Sequence, residues 1–301
     1  MQKVIKLILV LFFLSFTNTF SQGFKFKNYY INTTQAEQEI TKSNYRKALN
    51  FYQDAFKNVD RYFATDLFNA VLCADKSGNY IVTFQYLEKL IDKGLSLEIL
   101  SKKKCLSHLQ KRKEWKKLKR YSKKNFKTIQ ESKDKVLLTK LIKLAEADQA
   151  CRLSLGYAPE YKDSIKSIDY KNYNTLVEII KENGFPSEDD LGLSTLNQRN
   201  IPFNIVMHHS AQQKFDEGLW ELLLEAVKNG ELHAFDYVNF MDLFYSSNPD
   251  YASMVLHQID TNYYTPKFSE ERLEQINKKR EYLGLGTVQD YLDRTVYQVQ
   301  N

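Results

Sequence analysis

One acidic residue lies inside a strongly apolar segment, which raises the question of what neutralises its charge. Asp242 is the central residue of the sequence FMDLF. Burying an ionised carboxylate without partners has a large free-energy cost, so Asp242 must meet cations or hydrogen-bond donors. Arg152, Arg280 and His209 are the side chains that we consider for this role.

These residues support two interpretations of the C-terminal half. In the first, Asp242 accepts a hydrogen bond from one nitrogen of His209, and the other nitrogen acts as a general base toward a substrate. The two would be the catalytic residues of a hydrolase-like enzyme, with Arg152, Gln258 and Arg280 as binding residues around them. In the second, the same side chains form a buried polar network that fixes the register of the helices. The sequence has no recognisable nucleophile motif, and both interpretations stay open.

The sequence gives little support for a metal site or a cofactor-binding site. His208, His233 and His257 are further histidines, but no two histidines have the i, i+4 spacing that places two imidazoles on one helical face. No glycine-rich nucleotide loop is present either. We therefore expect neither a bound metal nor a cofactor.

The elements that must position these side chains are predicted to be helices. The chain has 301 residues, of which 43% are hydrophobic, and this is enough for a sizeable buried core. It contains only 10 Gly and 5 Pro, too few for an all-β protein with a turn about every ten residues. No segment has the pattern of a strand, and the predicted fold class is all-α.

Start and stop signals divide the second half into separate helices. Gly184, followed by Phe185-Pro186, ends one predicted helix, and Ser269 caps another that ends before Gly284. The predicted helical segments are 136–153, 172–183, 203–209, 215–229, 233–245, 254–259, 270–283 and a last helix that begins after Thr287.

The first half contains an internal repeat of 35 residues. Tyr45, Tyr80 and Trp115 are spaced at this interval, and each follows a turn signal and precedes a run with helical periodicity. The positions three, six and ten residues later also correspond: Ala48, Thr83 and Leu118; Phe51, Tyr86 and Tyr121; Ala55, Leu90 and Asn125. The third unit matches the other two least well.

On these positions, residues 28–126 resemble the tetratricopeptide repeat, a unit of about 34 residues that folds as helix, turn, helix. The resemblance is close for two units, which contain the sequences SNY (43–45) and GNY (78–80), and loose for the third. It implies a short solenoid of helical hairpins whose groove binds a protein or peptide partner. The alternative is a rigid docking platform for the other half of the chain.

The second half, over about residues 136–295, is similar to the bacterial family known as domain of unknown function 6624. The matching residues are Asp148-Gln149 with Arg152, Asn183-Gly184-Phe185-Pro186, His209, Asp242, Gln258, Arg280 with Gly284-Leu285, and Tyr291. Two segments depart from the family pattern, Leu256-His257-Gln258 and Ser210-Ala211, so a shared site would be altered there. The family has no known activity, and the resemblance implies a domain boundary rather than a function.

The first 21 residues are typical of an export signal. Two lysines give a basic start, residues 7–16 are nearly all apolar, and small residues precede a predicted cleavage site between Ser21 and Gln22. We therefore expect a secreted or periplasmic protein. No later segment reaches the roughly 18 uninterrupted apolar residues of a transmembrane helix, so we expect none in the mature chain.

Three cysteines, Cys73, Cys105 and Cys151, are an odd number for an oxidising compartment, so at least one thiol is unpaired. A small buried thiol is an ordinary core residue. We predict that all three are packing residues, with a Cys105–Cys151 disulfide as the alternative.

A strongly basic block overlies the third repeat unit. Residues 102–127 contain thirteen Lys or Arg and one acidic residue, a net charge of +12. The predicted mature chain has 41 basic and 37 acidic residues, so the residues outside the block have a net charge of −8.

We expect the partner of this basic block to be an anionic envelope surface rather than nucleic acid, since no nucleic-acid-binding motif accompanies the block. A solvated helical hairpin, or one that docks on the acidic remainder, is the alternative. The residues of this basic patch are Lys111, Arg112, Lys116, Lys119, Arg120 and Lys123.

The sequence thus predicts a signal peptide over 1–21, a tetratricopeptide-like repeat domain over 22–128 and a helical domain of unknown function over 129–301. The predicted function is that of an exported module that binds a protein or peptide. The alternative is the hydrolase-like enzyme in which an aspartate orients His209.

Overall fold

The computed structural model describes residues 26–57, 59–155, 159–193, 201–215, 218–245 and 268–293. Within these ranges the chain folds into helices joined by short connections, and none of these residues lies in a β-strand. The all-α prediction is confirmed. None of the helices described is long and apolar enough to cross a lipid bilayer.

The first half consists of helices that pack as consecutive neighbours. In chain order they are α1 (Lys27–Thr41), α2 (Tyr45–Lys57), α3 (Ala64–Lys76), α4 (Tyr80–Asp92), α5 (Leu97–Ser101), a 3-10 helix (Lys104–Lys111) and α6 (Lys113–Glu131). α1 packs against α2, α2 against α3, and α3 against α4, while α4 also packs against α6. Short connections between helices favour this packing of sequence neighbours.

The turns inside the first two helix pairs share one backbone conformation. Ser43 (φ 59°) and Gly78 (φ 75°) both have left-handed dihedral angles and are 35 residues apart. The residue after each of them donates its backbone N–H to a carbonyl of the preceding helix: Asn44 to Glu39 O, and Asn79 to Ala74 O. A left-handed residue followed by such a hydrogen bond is a common helix ending.

The repeated positions contribute to one core. Ala48, Thr83 and Leu118 are buried in α2, α4 and α6, each three residues after the aromatic residue that marks its unit. The 35-residue periodicity of the sequence therefore recurs in the packing. The tetratricopeptide identity and the solenoid arrangement stay predictions.

The second half is built around a central helix. Its elements are α7 (Lys135–Leu155), a 3-10 helix (Pro159–Tyr161), α8 (Lys162–Asn183), α9 (Glu188–Leu191), α10 (Ile201–Gln213), α11 (Leu219–Lys228), α12 (Ala234–Phe244) and α13 (Glu270–Tyr282), followed by helical residues 288–293. α10 packs against α7, α8 and α12. Side chains from four helices can therefore meet near α10.

Most predicted helix ends agree with the structure, and the differences have local causes. Gly184 follows α8 with a φ of 77°, and the hydroxyl of Ser269 accepts the backbone N–H of Arg272 at the start of α13. α8 begins at Lys162, ten residues earlier than predicted, because its first turns are largely polar and lack an apolar stripe. α11 begins at Leu219, directly after the left-handed residue Gly218. The predicted segment 254–259 lies outside the described residues.

The core of the second half extends into α1. Tyr29 and Tyr30 belong to the same buried cluster as residues of α8, α10 and α11. The Tyr30 hydroxyl lies 3.1 Å from the carbonyl oxygen of Leu232, to which it donates a hydrogen bond. Two glycines of the second half approach the start of α1 closely. A Cβ atom added to Gly230 would lie 2.0 Å from the Phe26 ring, and one added to Gly284 would lie 2.7 Å from the Lys27 carbonyl oxygen. Packing therefore crosses the predicted boundary near residue 128.

The cysteines differ in their surroundings. Cys73 is buried and Cys105 is exposed, and both are free thiols. The prediction that all three cysteines pack in the core is wrong for Cys105, because the buried side chains of its 3-10 helix are Leu106 and Leu109. The side chain of Cys151 lies outside the described residues.

Candidate functional site

A histidine and a buried carboxylate form a close pair between α10 and α7. His209 Nδ1 lies 2.8 Å from Oδ2 and 3.0 Å from Oδ1 of Asp148. The Asp148 side chain is 1% exposed, whereas that of His209 is 14% exposed. An ionised carboxylate only accepts hydrogen bonds, so Nδ1 carries the proton and donates it to Asp148.

Arg152 links this pair to a second buried carboxylate. Its Nη1 lies 3.1 Å from Asp148 Oδ1, one helical turn away on α7, and its Nη2 donates to Asp169 Oδ1 of α8 at 2.7 Å. Gln149 Nε2 donates to Asp148 Oδ2 at 2.8 Å. The carboxylate next to His209 is thus held in place by one ion pair and one hydrogen bond from its own helix.

The cluster beside His209 contains two buried carboxylates and one buried guanidinium. Asp148 and Asp169 contribute two negative charges, and Arg152 contributes one positive charge. Asp169 Oδ2 is buried and has no hydrogen-bond partner among the described residues.

The exposed neighbour of this pair is His208. Its Nε2 lies 2.9 Å from the side-chain amide nitrogen of Gln212. Partial burial lowers the pKa of His208. Its neighbours His209 and Arg152 lower this pKa further, whereas Asp148 raises it. Adjacent residues of one helix therefore include a carboxylate-bound imidazole and an imidazole at the surface.

Two further predicted site residues, Asp242 and Arg280, belong to α12 and α13. Asp242 and Arg280 are both fully buried. The Arg280 Nε donates to the Gly286 carbonyl oxygen at 2.6 Å. Burial lowers the pKa of Arg280, while Tyr291, Asp242 and Asp290 oppose this effect. Gln258 lies outside the described residues.

The contacts of the described residues connect four of the five predicted catalytic and binding residues in two groups. Arg152 and His209 share a cluster, and Asp242 lies within electrostatic range of Arg280. The carboxylate that contacts His209 is Asp148, not Asp242.

The pairing of Asp148 with Arg152 had a visible signal in the sequence, because the two residues have the i, i+4 spacing of one helical face. Asp169 had none, since it precedes the predicted start of its helix.

A second polar cluster lies where α1 and α3 meet the C-terminal half. The Tyr29 hydroxyl donates to Asp66 Oδ2 at 2.6 Å and accepts the backbone N–H of Phe63 at 3.0 Å. His233 Nδ1 accepts the backbone N–H of Phe235 at the start of α12. Its Nε2 lies 3.6 Å from Asp66 Oδ2.

Two carboxyl groups with raised pKa values line a small cavity beside this cluster. Burial raises the pKa of Glu188, against the effects of Lys93 and of the Ala64 N–H that Glu188 accepts. Burial also raises the pKa of Glu231, against the effect of Arg61. The cavity has a volume of about 10 Å³, room for about one water molecule. The cavity is too small for a substrate. We therefore assign the cluster a structural role, in the packing of α1 and α3 against the C-terminal half.

The basic patch lies on the surface of the first half. Lys111, Lys116, Lys119, Arg120 and Lys123 are exposed, and Lys111 ends the 3-10 helix that precedes α6. The Arg112 guanidinium lies 3.6 Å from the centre of the Tyr80 ring.

No three His, Cys, Asp or Glu side chains are grouped as metal ligands in the part of the chain that the structure describes. No protein-family model, curated protein or solved structure matches this chain.

Proposed function

We propose that the chain is a hydrolase-like enzyme in which His209 is the general base. One observation carries this proposal: the buried Asp148 carboxylate holds Nδ1 at 2.8 Å, while Nε2 has no hydrogen-bond partner among the described residues. The side chain is 14% exposed, so water has access to it. A carboxylate that orients one imidazole nitrogen leaves the other in the tautomer needed to accept a proton.

The base acts on water in this proposal. Nε2 removes a proton from a water molecule, whose oxygen attacks a carbonyl or phosphoryl centre of the substrate, and the imidazolium returns the proton to the leaving group. Asp148 accepts the hydrogen bond from Nδ1–H throughout and stabilises the imidazolium. Water is chosen as the nucleophile because no Ser, Thr or Cys side chain forms a hydrogen bond with His209 in the described ranges.

The test compares two adjacent histidines. The wild-type chain is assayed against chromogenic carboxylic esters, phosphoesters and aminoacyl amides. For a class that is turned over, His209→Gln should lower kcat by at least about 100-fold, the usual contribution of a general base. His208→Gln is the matched control, because it removes an imidazole from the same helix without touching Asp148.

Full activity in His209→Gln would overturn the proposal, as would equal losses in both variants. A wild-type chain that hydrolyses none of the three bond types would also count against it. Circular dichroism spectra of both variants separate loss of catalysis from loss of fold.

We also propose that the protein works outside the cytoplasm, on the basis of the signal-like residues 1–21. N-terminal sequencing of the protein recovered from its native host tests this. A first residue of Gln22 is the expected result, and an intact N-terminus would contradict it.

A second candidate function is the binding of an acidic peptide by the repeat helices. It is supported by an open cavity of about 620 Å³ between the turn before α2 and the end of α3. Arg46, Lys47 and Lys76 line this cavity and give it a positive charge. The aromatic face of α1 is a less suitable groove, because Tyr29 and Tyr30 are covered by the second half.

The binding role is tested by fluorescence anisotropy with a labelled glutamate-rich peptide. Arg46→Gln combined with Lys76→Gln should weaken binding at least about tenfold, by removing two charges from the cavity wall. The control is Lys135→Gln combined with Lys140→Gln, two exposed lysines on α7. Equal affinity in the two double variants would contradict this role.

A further inference from the structure

The outward face of α6 carries a continuous set of exposed cations. Eight of its Lys and Arg residues are exposed: Lys113, Lys116, Lys117, Lys119, Arg120, Lys123, Lys124 and Lys127. They span fourteen residue steps of helix, or about 21 Å at 1.5 Å per residue. We call this set the α6 cationic face.

The opposite side of α6 is used for packing. Trp115, Leu118 and Ser122 are buried there, and Trp115 and Leu118 belong to the core of the first half. The helix is therefore fixed to the protein by its apolar side, and its charged side cannot turn inward.

Within the described ranges, acidic side chains form only one ion pair with the α6 cationic face. Lys127 lies 3.8 Å from Glu131, one turn further along the same helix. The other seven residues of the face have no ion pair among the described residues. The alternative that the basic block docks on the acidic part of the chain therefore has no support within the described ranges.

We infer that the α6 cationic face is a docking surface for an anionic lipid membrane, bound by charge and without insertion. Seven of the eight cations are lysines, which interact with headgroup phosphates as point charges, and each basic residue near an anionic surface adds to the attraction. The apolar side chains of α6 lie on the packed side, so none is available to enter the hydrocarbon region.

A lipid surface fits this face better than a nucleic acid does. Binding of single-stranded nucleic acid uses exposed aromatic side chains on which bases stack. Trp115 is buried, and the Tyr121 hydroxyl is hydrogen-bonded to Asp92. None of the exposed residues of α6 is aromatic. The face therefore offers charge alone, in a row suited to a flat and uniformly charged partner.

The experiment measures sedimentation of the chain from Gln22 onward, which includes every described residue, with vesicles of phosphatidylcholine and rising fractions of phosphatidylglycerol. Binding should increase with the anionic fraction and fall steeply with salt, because exposed charges are screened over about 8 Å at physiological ionic strength. Lys116→Gln, Lys119→Gln, Arg120→Gln and Lys123→Gln, combined in one variant, should lower the apparent affinity at least about tenfold.

The matched control carries the same charge change on another helix: Lys162→Gln, Lys166→Gln, Lys171→Gln and Lys181→Gln, all exposed on α8. It should bind nearly as well as the wild type. Equal losses in the two quadruple variants would show a net-charge effect and overturn the proposal. Binding that is absent at low salt, or insensitive to salt, would also overturn it. So would tighter binding to double-stranded DNA than to vesicles at equal ionic strength.

Discussion

The Arg152 guanidinium is the group on which the charge balance of the His209 site depends. Arg152→Met would leave Asp148 and Asp169 as two buried carboxylates without their common cation, and we expect a loss of about 3–5 kcal/mol in the free energy of unfolding. Asp148→Asn keeps the contact between Arg152 and Asp169, so its cost should be about 1–2 kcal/mol. Urea unfolding of both variants at neutral pH measures the difference. Equal costs, or the reverse order, would contradict this account of the cluster.

Asp242 is a separate test of buried charge. Asp242→Asn keeps the shape of the side chain and removes its charge, while Arg280 stays fully buried. We expect destabilisation by about 3–5 kcal/mol, the usual cost of removing one partner from a buried ion network. Asp163→Asn, at an exposed position of α8, is the control for thermal unfolding. A melting temperature that stays level or rises in Asp242→Asn would instead indicate a charge kept for function.

At the level of single residues, the sequence identified the chemistry-bearing side chains better than it identified their partners. Asp242, Arg280, Arg152 and His209 are all buried or nearly so, as residues of a polar network should be. Their pairing depends on which helices cross, and helical periodicity contains no information on that. Asp148 contacts His209 because α7 packs against α10.

The helix endings offer a comparison between two glycines with positive φ. Gly78 has a φ of 75° and open space around it, so Gly78→Ala should cost only the backbone strain, about 1 kcal/mol. Gly94 has a φ of 100°, and an added Cβ would lie 3.1 Å from the backbone nitrogen of Leu193. Gly94→Ala should therefore be clearly more destabilising in thermal unfolding. A larger effect at Gly78 would contradict the described turn geometry.

Packing between the first helices is tested at Ala48. This residue is fully buried in α2, where α2 packs against α1 and α3. Ala48→Arg adds a long charged side chain to a filled space, and overpacking alone costs about 1–3 kcal/mol. Ala147→Arg places the same side chain on an exposed position of α7 and should leave the melting temperature nearly unchanged. Similar melting temperatures for both variants would remove the support for the repeat packing.

Helices were the most predictable elements because their start and stop signals are local. Ser269 and Gly184 act within one turn of the helix end that they define, so the ends near them were predictable. The start of α8 was not, because a helix that begins with exposed polar turns has no apolar periodicity there.

Glu231 makes the stability of the junction between the two halves depend on pH. Its pKa is raised in the folded protein, so the folded state binds this proton more tightly than the unfolded chain does. The stability that protonated Glu231 contributes is present at low pH. It is lost as the pH rises through the pKa that Glu231 has in the folded protein. Glu231→Gln removes this loss, so its gain in melting temperature over wild type should be larger at about pH 7.5 than at about pH 4.5.

The control for this comparison is Glu221→Gln, which changes an exposed carboxylate of α11. Its difference from wild type should vary little between the two pH values. A gain for Glu231→Gln that grows as the pH falls would contradict the sign of the effect.

The association of α1 with the C-terminal half was not predictable from the sequence. A repeat pattern predicts contacts between neighbouring units, and Tyr29 and Tyr30 are read as ordinary positions of a first helix. Tyr30 contacts the carbonyl oxygens of Val227 and Leu232, and both tyrosines share a buried cluster with residues of the second half, so their burial depends on contacts between residues far apart in the chain.

The hydrogen bond from Tyr30 to Leu232 joins residues that are 202 positions apart, and this separation has a consequence for the order of folding. The helix pairs α1–α2 and α3–α4 close over short distances and form early, whereas the aromatic face of α1 is completed only by residues that are synthesised much later. During that interval Tyr29 and Tyr30 are covered only in part, by Phe56 and Phe63 of the first half. The apolar surface that stays open is of the kind through which partly folded chains associate. Closure of the last and longest loop therefore both joins the two halves and removes a surface at which nascent molecules aggregate.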